Sequence, residues 1–131
     1  MEITEQRRPP EILVVDDNPL IARLLTEAMQ DEGYRAEAVA GAAVIARALA
    51  APPRLVLLDV LMPGLDGPAV CRQLRADPRT TGVPIVFVSA LPPAVLAVRL
   101  AGCPYDAIIA KPFDLVVVAE TVRRFLADPF P

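Results

Sequence analysis

The run Arg54-Leu55-Val56-Leu57-Leu58-Asp59-Val60-Leu61-Met62-Pro63-Gly64-Leu65-Asp66-Gly67 decides the fold of this chain. Between Arg54 and Asp59 every residue is apolar, with no polar residue alternating. A strand of that composition is buried on both faces, the condition of a parallel sheet covered by helices. The Met62–Gly67 segment carries Pro and Gly and reads as a loop, and Pro68 to Ala76 reads as a short helix. Asp59 therefore ends a buried strand. The carboxyl ends of strands are where open α/β sheets bind ligands.

The same alternation extends in both directions. Glu11-Ile12-Leu13-Val14-Val15-Asp16 is another buried strand closing on an acid. Pro19 suits a first helical position. Ile21, Leu24, Leu25, Ala28 and Met29 then share one helical face, and Gly33 ends that helix. Tyr34 to Val39 alternates weakly and reads as an outer strand. Ala42 to Ala51 reads as a helix with Val44, Ile45, Ala48 and Leu49 inward, stopped by Pro52-Pro53. Pro84 to Ser89 is a third buried strand, Leu91 to Leu100 a short apolar helix, and Ala107 to Lys111 the last strand. Asp114 caps a final helix with Leu115, Val118, Val122, Phe125 and Leu126 inward. These are five β-α units, which predict a doubly wound α/β fold with a five-stranded parallel sheet. Residues 1–10 read as a polar, flexible lead, 11–127 as one domain and 128–131 as a tail.

Composition narrows the function classes. The 131 residues are 54% hydrophobic, yet the apolar runs are far shorter than the roughly 20 residues that span a bilayer. No apolar leader follows Met1, so the expected location is the cytoplasm, with no membrane partner. A net charge of −3 and isolated Arg7-Arg8 and Arg123-Arg124 pairs offer no basic stripe for nucleic acid. Cys71 and Cys103 lack metal-ligand spacing and read as packing residues. The absence of histidine excludes Ser-His-Asp and Cys-His hydrolases and any phosphohistidine carrier.

Four apolar runs end on candidate groups: Asp16-Asp17, Asp59, Ser89 and Lys111. Lys111 is the one lysine, every other basic residue being arginine. An ammonium is a compact point charge where guanidinium is a planar fork. Carboxylates, a hydroxyl and one ammonium at strand ends compose a site for a metal ion and a phosphoryl group. No G-x-G-x-x-G or P-loop follows the first strand, which argues against a nucleotide-binding domain.

Over residues 11–127 the chain resembles the receiver domain of two-component response regulators. The resemblance rests on Val14-Val15-Asp16-Asp17-Asn18, on Asp59 with Met62-Pro63 and Asp66-Gly67, on Val88-Ser89-Ala90 and on Lys111-Pro112-Phe113. It implies a flavodoxin-like fold with strand order 2-1-3-4-5. It implies that Asp59 accepts the phosphoryl group. Asp17, Asp59 and the backbone carbonyl of Leu61 then ligate Mg²⁺ or Mn²⁺, with Asp16 acting mainly through water. Lys111 pairs with Asp59 or a phosphoryl oxygen, and Ser89 donates to the phosphoryl group. The implied donor is a phosphohistidine on a sensor histidine kinase or histidine phosphotransfer protein. A cis Lys111-Pro112 bond, as in relatives, would aim the ammonium. Asp66 is assigned to loop and cap work.

The chain also departs from the family. Ile108 stands three residues before the lysine, where receivers usually carry Tyr or Phe. That opens the alternative of a phosphorylation-independent interaction module. A haloacid-dehalogenase-type phosphohydrolase would need an acid two residues after Asp59, and Leu61 occupies that place. Leu61 and Leu91 flank the path of hydrolytic water in the family and are both apolar, which implies slow loss of the phosphoryl group. The fourth and fifth helices are apolar beyond one buried face, which predicts a docking or homodimer surface on the helix 4–strand 5–helix 5 face. The chain ends after its fifth helix, so no attached output domain is expected, and the signal passes through a changed protein-binding surface. The chain is thus expected not to be an enzyme beyond its own phosphorylation and slow dephosphorylation.

Overall fold

The computed structural model describes residues 9–126. Apart from Pro9 and Pro10, the expected lead and tail lie outside the described residues. The elements are β1 (Ile12–Val15), α1 (Pro19–Asp31), β2 (Ala36–Ala38), α2 (Val44–Ala50), β3 (Leu55–Leu58), α3 (Gly67–Ala76), β4 (Ile85–Ser89), α4 (Pro93–Arg99), β5 (Ala107–Ala110) and α5 (Leu115–Phe125). A short antiparallel ladder, Leu61–Met62 against Leu65–Asp66, lies between β3 and α3. The main sheet is wholly parallel, in the order β2-β1-β3-β4-β5. The chain runs outward from β1 to β2 and then crosses back to β3. That reversal opens the crevice between β1 and β3.

Side-chain alternation along the strands divides the core. Leu13, Val15, Val56, Leu58, Ile85 and Phe87 face α2, α3 and α4, packing on Val44, Ala48, Val70, Leu74 and Leu96. Ile12, Val14, Leu55, Leu57, Val86 and Val88 face α1 and α5, packing on Leu25, Met29, Val118 and Val122. Both sides of each central strand are dry, which is why β3 needs no polar residue before Asp59.

Several element details differ from the sequence reading. The buried face of α1 is Ala22, Leu25 and Met29, and Leu24 is 43% exposed. In α5 the buried residues are Val118, Ala119, Thr121 and Val122, whereas Leu115 is 37% exposed. In both helices an alanine, Ala22 or Ala119, is buried where the sequence pattern placed a leucine inward. The apolar residues so displaced, Leu24 and Leu115, meet in a groove between α1 and α5, where Arg123 donates to Glu32 at 2.5 Å. Arg123 is thus an inter-helix contact rather than a free surface charge. The first turn of the second helix is a 3-10 turn, Gly41–Ala43, and α4 is shorter than the Leu91–Leu100 pattern. Cys71 and Cys103 are free and buried, as packing residues should be.

Candidate functional site

Strand register assembles the site. Val15 lies level with Leu58 in the β1–β3 pair, and the Asp59 N–H donates to the Val15 carbonyl at 2.9 Å. One residue further along each strand, Asp16 and Asp59 are therefore neighbours. On the other side Ser89 pairs with Ala110, and the Lys111 N–H donates to the Ser89 carbonyl at 2.8 Å. Four separate strand ends thus deliver Asp16-Asp17, Asp59, Ser89 and Lys111 to one edge.

The three carboxylates converge, with one oxygen of each of Asp16, Asp17 and Asp59 lying within 4.8 Å of the others. The Asp16 side chain is 1% exposed, and both its oxygens are engaged. Oδ1 accepts from the Asn18 N–H at 2.9 Å and Oδ2 accepts from Lys111 Nζ at 2.8 Å. Lys111 Nζ stands 3.6 Å from Asp59 Oδ2. The expected Lys111–Asp59 pair is present, but the direct hydrogen bond of the ammonium goes to Asp16. The Lys111-Pro112 peptide is cis.

Sequence reasoning missed the part played by Asn18. Its Oδ1 accepts from the N–H groups of Leu20 and Ile21 and caps α1 behind Pro19. The signal was an Asn immediately before a first-turn proline. Asp66 does occupy the cap position of α3, yet its side chain makes no cap hydrogen bond. Ser89 is 2% exposed and its Oγ accepts from the Leu91 N–H at 3.1 Å. Leu61 is 39% exposed, and Leu91 is partly buried against the core.

Burial is the main force on Asp59. It pushes the carboxyl up to about 6, the Lys111 ammonium opposes that rise, and the neighbouring Asp16 and Asp17 carboxyls reinforce it. Three carboxylates against one ammonium leave an excess of two negative charges. Hard oxygen donors with that excess fit a divalent cation that keeps several waters. A cleft of about 410 Å³, walled by Asp16, Asp17, Ala40, Gly41, Met62 and Pro63, opens beside the acids.

On the far side of Ser89 the usual aromatic is missing. Ile108 is 37% exposed, and Tyr105 packs edge-on against buried Phe87 with ring centroids 5.7 Å apart. Tyr105 is thus a partly exposed ring over the start of the strand.

The model of the response regulator receiver domain family matches residues 12–123. The chain belongs to the response regulator receiver domain family. This receiver is 40% identical over 116 residues to the DNA-binding response regulator MtrA of Mycolicibacterium smegmatis, covering 88% of this chain and 50% of that protein. It is 34% identical over 118 residues to the DNA-binding dual master transcriptional regulator RpaA of Synechocystis, covering 89% of this chain and 49% of that protein. The chain spans about half the length of these relatives. Among solved structures, the receiver domain of a signal transduction histidine kinase from Syntrophus aciditrophicus superposes with a TM-score of 0.81 at 36% identity, covering 90% of each chain. The receiver domain of a sensor histidine kinase from Pseudomonas aeruginosa, with magnesium coordinated in its active-site cleft, gives 0.84 at 26% identity. That match covers 92% of this chain and 100% of that one. The receiver fold and its place in two-component signalling are thereby established, with strand order as expected. Among the described residues no helix is long and apolar enough to cross a membrane.

Proposed function

We propose that this receiver takes a phosphoryl group onto Asp59 from a phosphohistidine on a sensor histidine kinase or histidine phosphotransfer protein. The observation that carries the reading is the convergence of Asp16, Asp17 and Asp59 with the Lys111 ammonium. Asp59 attacks phosphorus, the P–N bond of the donor breaks, and the imidazole nitrogen leaves with the electron pair. Asp17, Asp59 and the Leu61 carbonyl hold Mg²⁺ or Mn²⁺, and Asp16 acts through water. The ion offsets carboxylate repulsion and neutralises phosphoryl oxygens. Lys111 moves from Asp16 towards a phosphoryl oxygen, and the Ser89 hydroxyl donates to another. Most of the catalysis is positioning and charge stabilisation.

The output is a changed protein-binding surface. Val95, Val98, Ile108 and Val117 expose an apolar surface on α4, β5 and α5, suited to a downstream protein or a second copy. A second reading, a phosphorylation-independent interaction module, draws support from Ile108 and from the engagement of Tyr105 with Phe87.

Intact-mass spectrometry after incubation with acetyl phosphate and Mg²⁺ tests the proposal. A single phosphoryl adduct is expected on wild type and none on Asp59→Ala. An unmodified wild type that is folded would move the assignment to the second reading.

A further inference from the structure

Gly67 is the most tightly enclosed glycine of the site. A Cβ built on it would lie 2.3 Å from the Asp59 carbonyl oxygen, 2.8 Å from the Val60 carbonyl oxygen and 2.9 Å from Val60 Cα. These neighbours are backbone, so no side chain can swing aside. The Gly67 N–H also donates to the Val60 carbonyl at 2.9 Å. One and two residues earlier the chain is tied again, by the antiparallel pairs Leu61–Asp66 and Met62–Leu65. The start of α3 is therefore pressed against the peptide that links Asp59 to Leu61.

We infer that Gly67 is a positioning residue for the metal site: it lets α3 clamp the Asp59–Leu61 backbone so that the Asp59 carboxylate and the Leu61 carbonyl face one cation. The inference rests on the proposed use of those two groups as ligands. Its magnitude follows from the contacts. Relieving a 2.3 Å approach to ordinary van der Waals distance moves backbone by about 1 Å. Mg²⁺ demands near-ideal octahedral geometry at about 2.0–2.1 Å and does not follow such a shift. A cation of looser geometry, Ca²⁺, tolerates it better. Gly64 provides the internal control. Its φ of +70° makes an alanine there strained, but a Cβ would meet nothing within 4 Å. Gly64→Ala therefore perturbs the same loop without touching the Asp59 backbone.

The test is a Mg²⁺ titration followed by amide NMR shifts on wild type, Gly67→Ala and Gly64→Ala, with melting temperatures taken on the same samples. Gly67→Ala is expected to bind Mg²⁺ at least about tenfold more weakly, with a smaller loss for Ca²⁺, and Gly64→Ala to stay within about threefold of wild type. A folded Gly67→Ala with wild-type Mg²⁺ affinity overturns the inference and leaves the site assignment standing, even if its melting temperature drops. A wild type that fails to bind Mg²⁺ removes the site assignment and the inference with it. Should Gly67→Ala not fold, exchange of the Gly67 amide in wild type decides. Slowing by about tenfold on adding Mg²⁺ supports the clamp, and unchanged exchange overturns it.

Discussion

At the residue scale, Asp59 sets the behaviour of the site. A carboxyl held up at about 6 binds a proton more readily in the folded protein than in the unfolded chain, where its ordinary value is 3.8. The sign follows directly. Without metal, the ionised Asp59 opposes folding above about 6, and that cost disappears as pH falls towards 4. If Asp59 ligates Mg²⁺ as proposed, the ion needs the ionised form, so proton and metal compete. Magnesium affinity is expected to be flat above pH 7 and to fall about tenfold per unit below 6, which calorimetric titration at pH 5, 6 and 7.5 would measure. An affinity independent of pH across that range would show that burial does not hold the Asp59 carboxyl up at about 6. Leu61 and Leu91 set a second residue-scale expectation. Neither side chain can orient a water on the phosphoryl face, so phosphorylated Asp59 should last far longer than seconds in Mg²⁺. Replacing Leu61 with Gln, which can hydrogen-bond water, should shorten that lifetime by about tenfold, read as decay of the adduct by mass spectrometry.

At the element scale, the connections opposite the site hold the strands that deliver Ser89 and Lys111. Arg75 of α3 donates to the carbonyls of Pro104, Thr81 and Val83 and to Asp106 Oδ2. Asp106 Oδ2 in turn accepts from the Ile85 N–H at the start of β4. One guanidinium thus ties α3 to the ends of two loops and, through Asp106, to β4. Its side chain is 17% exposed, but of the four bonds only the one to the Val83 carbonyl is part-buried, so water can replace the other three. Arg75→Ala should lower stability by about 1–2 kcal/mol in urea unfolding, chiefly through the part-buried Val83 carbonyl left without its partner. Arg75→Lys should recover little of that loss, since an ammonium lacks the planar fork. The same scale explains where the helix reading went astray. Leu24 and Leu115 satisfy the apolar period of α1 and α5, but Ala22 and Ala119 take the inward positions. Periodicity finds the stripe without saying which edge of it touches the sheet.

At the scale of the whole molecule, the apolar surface divides. The sequence shows α5 as apolar almost throughout its first turn, which suggested a single patch. Folded, Val118 goes into the core, and Leu115 and Val116 line the groove against α1. Val117 remains exposed, as do Val95, Val98 and Ile108 on α4 and β5. Val98, 79% exposed, is the most open of this set. Analytical ultracentrifugation across a concentration series should show self-association that strengthens on phosphorylation and is lost in Val98→Asp. A monomer in both states would reserve that surface for a different partner.

Whereas the strand order came only with the family resemblance, the burial of the three central strands and the ends on which Asp16, Asp17, Asp59, Ser89 and Lys111 stand were legible in the chain. Each follows from local composition: continuous apolar runs demand burial on both faces, and the first polar residue after such a run must sit at the strand end. Pairing was not legible, because it depends on register between strands far apart in sequence. The β1–β3 register brings Asp16 beside Asp59, and the bond from Lys111 N–H to the Ser89 carbonyl holds the ammonium where Asp16, rather than Asp59, receives its direct hydrogen bond. The closeness of Gly67 to the Asp59 carbonyl was equally beyond reach of the sequence. A glycine in a loop states that the backbone is free to turn, and only the packed structure shows which atoms would collide with a side chain.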